Sequence, residues 1–489
     1  MEAFDNAVFT YAIASKRLEQ YDCYVPFYDG KLIINHTSKT QVFIASENTQ
    51  EAAVVGVCVD ALGEIPREDV AKYIVHLENT TAENIYQQIK RFAGRFMILY
   101  RTGSDLFAFT DAYGLLQVNY SKMGDDICIA SIDKSVGDYF GYPISPVSLD
   151  IRNGGDYSQP LPYNITMYDA VKVLLPNHYL YVNTLQPKRV RIPTTRNTTA
   201  AQKKCVVDRT IWLVNNILEE YEKLFHIACP LTAGRDSRVV FSFLNQKKRE
   251  LPCYTFWHNG FSSQTPDIAI PHRIATDKGL DYRVIEDMVP SQTYLSQIKD
   301  IVGNYHSENT ISLGYTFSQS FPEHILIHSD ILDQIGKSSL GKNIPAFLAT
   351  PYFSMCKLHN FSKNTFPFVK AYHKDITESG ETHNKFDLFC IEQDGARWVS
   401  QGITLYSVCG VTALNLFNCG MILDLWLSLP RKSRMKFFLH DQLLGRVDPE
   451  LRKYPVNPGE QFAQLKKSSF LMWLGTYVNY FLHYLRKNK

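Results

Sequence analysis

The sequence predicts two parts: an α+β sandwich, and then an α/β domain built on a doubly wound parallel sheet. Short apolar or alternating runs separated by turn residues recur through the first 145 residues, as in antiparallel sheets. Farther along, apolar runs alternate with helical patterns in the order β-α-β-α-β, which favours a parallel sheet with right-handed crossovers. Between these regions, residues 143–162 are rich in Pro, Gly, Ser and Asp and are predicted to form a loop.

The composition is that of a globular, core-forming protein. Its 489 residues are enough for two or three domains, and 45% of them are apolar while 20% are charged. A net charge of +2 gives no reason to expect a nucleic acid partner. The ten cysteines include no CxxC pair, so we expect reduced core residues rather than a zinc site or disulfides. Because the N-terminus lacks an apolar signal segment, a cytoplasmic location is expected.

In the first part, the predicted strands follow the short apolar runs. They are 31–34, 41–44, 53–59, 95–100, 106–110 and 127–130. Helices are predicted at 69–77 and 81–91. A strand pair, 179–182 with 190–192, closes this part. No acid or nucleophile is spaced around His178, which is therefore predicted to be a turn residue rather than a catalytic one.

The second part is predicted to begin with a long helix and then to alternate strands with helices. The predicted helices are 199–225, a helix after the 232–237 loop, and 267–278, and the predicted strands are 227–231, 253–257, 282–285 and 325–327. Gly279 is expected to end the third helix, and Pro271 is expected to disturb its early turns. In such a sheet, ligands bind at the carboxyl ends of the strands.

The loop after the 227–231 strand is the first candidate site. It consists of Thr232, Ala233, Gly234, Arg235, Asp236 and Ser237. We expect the backbone to turn sharply at Gly234, and Asp236 or Ser237 to cap the helix that follows. Unpaired N–H groups at a helix N-terminus favour an anionic group such as phosphate. No Lys-Ser or Lys-Thr follows a glycine at the spacing of a Walker A loop.

Two acids beyond the 325–327 strand form the second candidate site. Asp330 and Asp333 lie three residues apart there and, considered alone, are typical of a solvated turn. Together with Asp236 at a neighbouring strand end, they permit another interpretation. Mg²⁺ prefers oxygen ligands and is usually held by one or two carboxylates together with phosphate oxygens.

These residues resemble motifs of the asparagine synthetase family. The 232–237 loop is similar to that family's pyrophosphate-binding loop, Ser-Gly-Gly-x-Asp-Ser, with Thr232 at the Ser and Ala233 at the first Gly. Landmarks of the family's glutaminase-like half occur in order, namely Gly94 before Phe96, Asp111 before Gly114, Tyr120, and the Ala130-Ser131 pair. The resemblance implies a glutamine amidotransferase-like, Ntn-hydrolase-like domain at 1–195. It also implies an adenine nucleotide α-hydrolase-like ATP-pyrophosphatase domain at 196–489.

The resemblance also implies ATP and Mg²⁺, with the metal held by Asp236 and Asp333 and with Asp330 close to the chemistry. The implied nucleotide contacts are the 232–237 loop, Leu231, Trp257 and Ser329. The segment around Asp333 departs from the family's Ser-Gly-x-Gly-Ala-Asp-Glu at Ile331, Leu332 and Gln334. Lys453 is the nearest candidate for the lysine that stabilises charge at the α-phosphate, while the closest aligned column holds Asn457.

The family's glutaminase uses a cysteine at the mature N-terminus as its nucleophile, whereas position 2 here is Glu2. We therefore expect no glutamine hydrolysis. The resemblance implies an AMP-forming carbon–nitrogen ligase that adenylates a small-molecule, peptide or saccharide carboxylate and transfers the acyl group to nitrogen. The nitrogen would come from free ammonia, a separate glutaminase, or an amine on the substrate itself, as in β-lactam synthetases and lasso-peptide cyclases. The alternative is an inactive nucleotide-binding or scaffold protein.

The segment 468–485 contains no formally charged residue and is rich in aromatic side chains. Lys466 and Lys467 precede it, and Arg486 follows it. It is too polar for a confident membrane-spanning helix. Two interpretations stay open: a final helix packed on its own domain, or an interfacial helix that makes peripheral membrane contact.

Overall fold

The computed structural model describes residues 2–78, 81–154, 160–193, 195–247, 251–258, 260–338, 340, 349–358, 360, 362–458 and 478. Antiparallel sheets lie in the N-terminal part, and a parallel sheet lies in the C-terminal part. The predicted change from antiparallel to parallel sheet along the chain is therefore confirmed.

The N-terminal part contains twelve described strands and five described α-helices. The strands are β1 (Tyr11–Ala14), β2 (Cys23–Phe27), β3 (Leu32–His36), β4 (Val42–Glu47), β5 (Gln50–Asp60), β6 (Phe92–Thr102), β7 (Asp105–Thr110), β8 (Asn119–Met123), β9 (Asp126–Ala130), β10 (Lys172–Val173), β11 (His178–Tyr181) and β12 (Gln186–Arg189). The helices are α1 (Glu2–Asp5), α2 (Val70–Val75), α3 (Ala82–Ile89), α4 (Asp133–Phe140) and α5 (Pro146–Gly154), with a 3₁₀ turn at Arg67–Asp69.

The strands form two six-stranded antiparallel sheets, in the orders β10-β8-β9-β1-β3-β2 and β12-β11-β7-β6-β5-β4. Alternation along β5 shows how they stack, because successive side chains of a strand point to opposite faces. Val55 packs in the same core as Ile13 of β1, so the two sheets face each other. Val54 packs instead with Ile74 and Ile85 of α2 and α3 on the outer face. The N-terminal part is thus a layered sandwich with helices outside its sheets.

The C-terminal part contains five described strands, with helices before, between and after them. The strands are β13 (His226–Pro230), β14 (Cys253–Trp257), β15 (Tyr282–Glu286), β16 (His324–Ile327) and β17 (Ala413–Leu414). The α-helices are α6 (Ala200–Leu224), α7 (Arg235–Leu244), α8 (Pro266–Lys278), α9 (Gln292–Val302), α10 (Glu308–Ser320), α11 (Pro351–Lys357), α12 (Phe366–Glu378), α13 (Lys385–Phe389), α14 (Ser400–Val408), α15 (Gly420–Leu427), α16 (Arg431–Arg434) and α17 (Phe438–Val447). Two π-helices, Leu332–Gly336 and Cys390–Val399, and 3₁₀ turns at Asn245–Lys247 and Pro449–Lys453 complete it.

The parallel sheet has the order β15-β14-β13-β16-β17. The chain runs outward from β13 through β14 to β15 and then returns to the other side of β13 as β16, in register from His226 opposite His324. The strand order therefore reverses between β13 and β16. In open α/β sheets, this is where a crevice forms at the carboxyl ends of the strands and where ligands bind.

Several boundaries confirm the sequence predictions. Thr199 caps α6 in a capping box with Gln202, and α8 ends at Gly279 in the left-handed conformation. The predicted loop 143–162 is wrong in part, because it contains α5. Ser145 Oγ accepts a hydrogen bond from Ser148 N at 3.1 Å, which satisfies a free N–H group at the start of that helix.

His178 lies on β11 and is buried, so its prediction as a turn residue is wrong. Its Nδ1 atom lies 2.9 Å from the carbonyl of Pro176, and its Nε2 atom lies 3.5 Å from Asp375 Oδ2. The strands β1, β2 and β8 were not predicted. They are only four or five residues long, and β2 alternates between partly buried and exposed positions.

The aromatic segment 468–485 lies outside the described residues, apart from Val478. Both interpretations of that segment therefore stay predictions. Among the helices of the described residues, none has the length and apolar character needed to cross a lipid bilayer.

Candidate functional site

The 232–237 loop joins the carboxyl end of β13 to the first turn of α7. Thr232 and Ser237 close it with a hydrogen bond of 2.9 Å between their hydroxyls, and Thr232 Oγ1 also accepts from Gly234 N at 3.1 Å. Gly234 has φ −68° and ψ 162° and is the N-cap of α7. The predictions of a sharp turn at Gly234 and of a cap at Asp236 or Ser237 are therefore wrong: the glycine is extended, and the helix starts at Arg235.

The backbone N–H groups of this loop have different surroundings. Ala233 N donates to the carboxylate of Asp267 at 2.9 Å, so an acid already lies against the start of the loop. No side chain caps α7 at Gly234. The N–H groups in the first turn of that helix consequently point toward the crevice without a cap, where they favour an anion.

Arg238 anchors the loop from below. This buried side chain donates to the carbonyls of Ala233 at 3.0 Å and Tyr454 at 2.9 Å, and it also contacts that of Pro455. Burial and the nearby charge of Arg235 lower the pKa of Arg238 to about 10. Because its partners are carbonyls, Arg238 fixes the 454–457 segment against the loop.

Asp236, in the first turn of α7, uses its two carboxylate oxygens separately. His440 Nε2 of α17 lies 2.6 Å from Oδ1, and Lys337 Nζ lies 3.8 Å from Oδ2. Burial alone would raise the pKa of Asp236, but the hydrogen bond from His440 and the charge of Lys337 hold it below its usual range. Asp236 is therefore an ionised carboxylate in a largely buried position.

Asp333 approaches the same lysine from the next strand. It lies on the π-helix Leu332–Gly336, and its Oδ1 contacts Lys337 Nζ. Burial raises the pKa of Asp333, Lys337 opposes this rise, and the negative charges of Asp236 and Asp330 add to it. Residues from the ends of β13 and β16, about 100 residues apart in the chain, thus meet at one ammonium group.

Asp330 and Ser329 lie between β16 and Asp333. The partly exposed carboxylate of Asp330 lies 2.8 Å from His328 Nδ1. The carbonyl of Ser329 accepts from Leu332 N at 3.0 Å and from Asp333 N at 3.3 Å, so Ser329 starts the turn that aims Asp333. These two residues border the crevice, with the Asp330 charge near enough to raise the pKa of Asp333.

The remaining predicted site residues differ in how closely they approach the loop. Leu231 is fully buried at the end of β13, where its N–H donates to the carbonyl of Tyr254 at 2.9 Å. Trp257 ends the adjacent strand, β14, and its ring meets that of Phe261 edge-on. Lys453 is not brought to the acids: its ammonium lies 3.9 Å from Asp277 and is mostly exposed. Asn457 does reach the loop, where its N–H donates to Ala233 O at 3.4 Å.

Sequence reasoning missed Lys337, His440 and Arg238. Lys337 carries a signal that could have been used, because it follows Asp333 at the i, i+4 spacing of a helical ion pair. His440 lies 204 residues from Asp236, and no local pattern connects them. Arg238 lies within an apolar helix, where a single arginine can be structural or functional.

The donor set fits Mg²⁺ bound together with a nucleotide. Asp236 and Asp333 supply oxygen ligands near a loop suited to phosphate, and Mg²⁺ usually takes one or two carboxylates plus phosphate oxygens. Among the described residues, no group of three or more His, Cys, Asp or Glu side chains could hold a metal by itself. A metal here would therefore depend on the phosphates for its other ligands.

The glutaminase-like landmarks have structural roles in the described residues. The β1 strand begins at Tyr11, after the buried residues Val8, Phe9 and Thr10. Asp111 is fully buried, and its carboxylate accepts hydrogen bonds from Leu115 N at 2.9 Å and Leu116 N at 2.8 Å. This Asp is thus committed to holding its own turn.

Comparisons with known proteins give only distant likenesses. No protein-family profile matches the chain, and no curated protein matches it in sequence. A glutamine phosphoribosylpyrophosphate amidotransferase from B. subtilis, complexed with ADP and GMP, is 13% identical with a TM-score of 0.23, and the match covers 60% of this chain and 65% of that one. A structure described as the allosteric regulatory enzyme of purine biosynthesis is 14% identical with a TM-score of 0.24, at the same coverage of 60% and 65%.

A glutamine-dependent NAD+ synthetase from Acinetobacter baumannii, in complex with ADP, is 8% identical with a TM-score of 0.20, covering 40% of this chain and 43% of that one. The matches thus span 65% or less of the length of these three proteins. TM-scores of 0.20 to 0.24 assign neither a family nor a function to this chain.

Proposed function

We propose that this protein is an ATP-dependent, amide-forming ligase of the asparagine synthetase type that adenylates a carboxylate. One observation carries the proposal: Asp236 and Asp333, from the ends of neighbouring parallel strands, converge on Lys337 beside a helix N-terminus that no side chain caps. Two carboxylates and a phosphate-seeking helix end at a strand-order reversal are the groups needed to bind a magnesium nucleotide.

In this proposal, Asp236 and Asp333 would hold Mg²⁺, which neutralises charge on the phosphates when it is bound. The N–H groups of the first turn of α7 face the β- and γ-phosphates, and the hydroxyls of Thr232 and Ser237 border them. The adenine base lies toward Leu231 and Trp257, at the ends of β13 and β14. Arg238 keeps the loop in place, because it fixes the carbonyl of Ala233.

The proposed reaction has two steps. A carboxylate oxygen of the substrate attacks the α-phosphorus of ATP, and the bond to the β-phosphate oxygen breaks, so that pyrophosphate leaves. A nitrogen nucleophile then attacks the acyl carbon, and AMP leaves with the electron pair of the carbon–oxygen bond. The nitrogen must also lose a proton. Asp330, a partly exposed carboxylate at the border of the crevice, is the proposed acceptor.

The N-terminal part is proposed to be an Ntn-hydrolase-like domain without glutaminase activity, and the boundary with the adenine nucleotide α-hydrolase-like domain is proposed at 195/196. Nitrogen then comes from ammonia, from a separate glutaminase, or from an amine on the substrate. We further propose a cytoplasmic enzyme that does not bind nucleic acid. Peripheral membrane contact through 468–485 is part of the same proposal.

One observation favours a second candidate function, that of a nucleotide-binding or inert scaffold. The carboxylate of Asp267 accepts a hydrogen bond from Ala233 N at 2.9 Å, so a negative charge lies at the start of the loop where phosphates would bind. Like charges that approach closely repel each other, which weakens nucleotide binding. A scaffold of this kind would retain the fold without the adenylation step.

Calorimetry with Mg·ATP separates these functions. Wild-type protein should bind Mg·ATP, and Asp236→Asn and Asp333→Asn should each weaken binding by ~10-fold or more, because each removes a charged metal ligand. Glu308→Gln, which removes an exposed ion pair with Lys299, should leave affinity unchanged. If the wild type fails to bind Mg·ATP, or if the two Asp variants bind as the wild type does, the proposed nucleotide site is wrong.

The adenylation step is tested by ATP–pyrophosphate exchange across a library of amino acid, uronic acid and peptide carboxylates. The ligase should catalyse exchange with at least one of these acids, and the exchange should disappear in Asp236→Asn. Nucleotide binding without exchange across the whole library would instead favour the scaffold.

A further inference from the structure

We propose that Lys337 is an exchangeable cation, which neutralises Asp236 and Asp333 when no nucleotide is bound and moves onto the phosphates when Mg·ATP enters. This inference rests on the proposed function for its second half only. Lys337 would then be the catalytic residue that stabilises charge on the departing pyrophosphate. That role was assigned from the sequence to Lys453, which lies beside Asp277 instead.

The contacts of Lys337 make it the local counterion. Its ammonium lies 3.8 Å from Asp236 Oδ2 and contacts Asp333 Oδ1, and it lies 6.0 Å from the centre of the Phe437 ring. The side chain is 24% exposed, so solvent screens these charges only in part. A lysine ammonium is a compact charge with three donors, which allows it to contact both carboxylates at once.

The backbone beneath Lys337 is held by buried polar contacts. Ser338, in the left-handed region at φ 47°, donates its hydroxyl to Asp387 Oδ1 at 2.7 Å. Arg431 Nε donates to Ser338 Oγ at 2.9 Å. Arg434 donates to Asp387 Oδ2 at 2.6 Å and to the carbonyl of Ile335 at 2.8 Å. The main chain at Lys337 is therefore fixed, and motion of its ammonium depends on the flexible four-carbon side chain.

A divalent cation and the Lys337 ammonium compete for the same two carboxylates. Mg²⁺ alone would have to displace an ammonium that has no alternative anion nearby. Mg²⁺ with a triphosphate supplies that anion, because the phosphate oxygens can accept the ammonium once the metal takes Asp236 and Asp333. Asn457 reaches the loop from the other side but carries no charge, so it cannot take this role.

Divalent metal binding in the absence of nucleotide tests the first half of the inference. Mn²⁺ binding is measured by electron paramagnetic resonance on the full chain. Lys337→Met should bind Mn²⁺ at least ~10-fold more tightly than wild type, because a positive charge only a few ångströms from the metal has been removed. Lys337→Arg keeps the charge and should bind Mn²⁺ as weakly as wild type. Adding Asp333→Asn to Lys337→Met should abolish the gain.

Lys299→Met is the matched control, because it also removes a lysine from an ion pair, with Glu308 on the surface. It should leave Mn²⁺ binding unchanged. Equal Mn²⁺ affinities for wild type and Lys337→Met, with both proteins folded by circular dichroism, would overturn the inference. This readout needs no ATP, so it is distinguishable from failure of the proposed function, in which the wild type does not bind Mg·ATP.

The second half is tested with the carboxylate that supports exchange in wild type. Lys337→Met should lower the rate of ATP–pyrophosphate exchange by ~100-fold or more, while the Kd for Mg·ATP changes by less than ~3-fold, because the lost interaction is strongest in the transition state. Equal losses in rate and affinity would indicate a role in binding only and would overturn the catalytic assignment.

Discussion

At the scale of single residues, the character of the site depends on what each charged group contacts. Asp236 has His440 on one oxygen and Lys337 near the other, so its ionised form is stabilised although it is largely buried. Asp333 has Lys337 but also two acidic neighbours, and its pKa is raised. The same residue type therefore has opposite pKa shifts at two points of one crevice, and the difference lies in the neighbours.

Asp267 is the residue whose charge opposes nucleotide binding most directly. Asp267→Asn should keep the hydrogen bond from Ala233 N, because the amide oxygen also accepts, while it removes the negative charge. We expect Mg·ATP to bind ~3- to 10-fold more tightly as a result, measured by calorimetry at low salt. Asp281→Asn, which changes an exposed acid paired with Arg283, should have no effect. Unchanged affinity in Asp267→Asn would mean that the phosphates do not approach this loop.

At the scale of elements, two π-helices support the site. Leu332–Gly336 carries Asp333, and Cys390–Val399 packs beside it. Tyr113 of the N-terminal part joins them: its hydroxyl donates to the carbonyl of Cys390 at 3.0 Å and contacts Gln334 Oε1. π-helical segments occur frequently at functional sites. Here they place a side chain of the sandwich directly beside the candidate metal ligand.

The close fit between Tyr113 and Gly395 leads to a prediction about this support. A Cβ atom added at Gly395 would lie 2.3 Å from Tyr113 Cε1, so Gly395→Ala must displace the ring. We expect a loss of ~1–3 kcal/mol in the free energy of unfolding, as for overpacked cores, together with weaker Mg·ATP binding. Chemical denaturation and calorimetry measure the two effects.

Gly402→Ala is the control for Gly395→Ala, because nothing lies within 4 Å of the added Cβ atom and the residue is also helical. It should be neutral or should stabilise the protein by up to ~1 kcal/mol through helix propensity. Equal stabilities of the two alanine variants would show that Tyr113 is free to move and does not support the site.

At the scale of the whole molecule, the two parts are joined by buried polar contacts. Asn418 donates its amide to the carbonyl of Gly94 at 2.5 Å and to Asp111 Oδ1 at 2.9 Å. Gly94 has φ 126°, and an added Cβ atom would lie 2.1 Å from the carbonyl of Val57, so its place in the sandwich requires glycine. Landmarks that resemble a glutaminase thus serve here to build the sandwich and join it to the C-terminal part.

A buried ion-pair network around Arg189 makes this junction depend on pH. Arg189, at the end of β12, lies 2.5 Å from Asp375 of α12 and also contacts Glu392. Burial alone would raise the pKa of Asp375, but the hydrogen bond from His178 and the charge of Arg189 lower it from 3.8 to about 2. A carboxyl whose pKa falls on folding contributes stability above its unfolded pKa and loses it as the pH falls through the folded value.

Asp375→Asn should therefore be less stable than wild type near neutral pH, with about 2 kcal/mol of the loss from the pKa shift itself. This part of the difference should shrink as the pH falls from about 5 to about 2.5, because wild-type Asp375 becomes protonated. Urea denaturation at several pH values measures the trend. Asp138→Asn, which breaks an exposed ion pair with Lys134, should show none. A difference that stays constant over this range would contradict the assignment.

The sequence alone predicted the long elements and the site loop accurately. The long helix α6, the strand β14 and the end of α8 follow from runs of apolar residues and from capping residues, which act over a few positions of the chain. The short strands β1, β2 and β8 have too few residues for a clear pattern. The α5 helix was hidden because its segment is rich in Pro and Gly, and its cap at Ser145 could not be recognised from composition.

By itself, the sequence determined that Asp236 follows one buried strand and Asp333 another, because local apolar patterns fix where strands end. Only the tertiary structure decided that these strands are neighbours, that Lys337 lies between the acids, and that His440 rather than solvent faces Asp236. The physical reason is that strand pairing and helix packing join residues 100 to 204 positions apart. Contacts at such separations depend on the burial of whole elements and leave no local pattern in the chain.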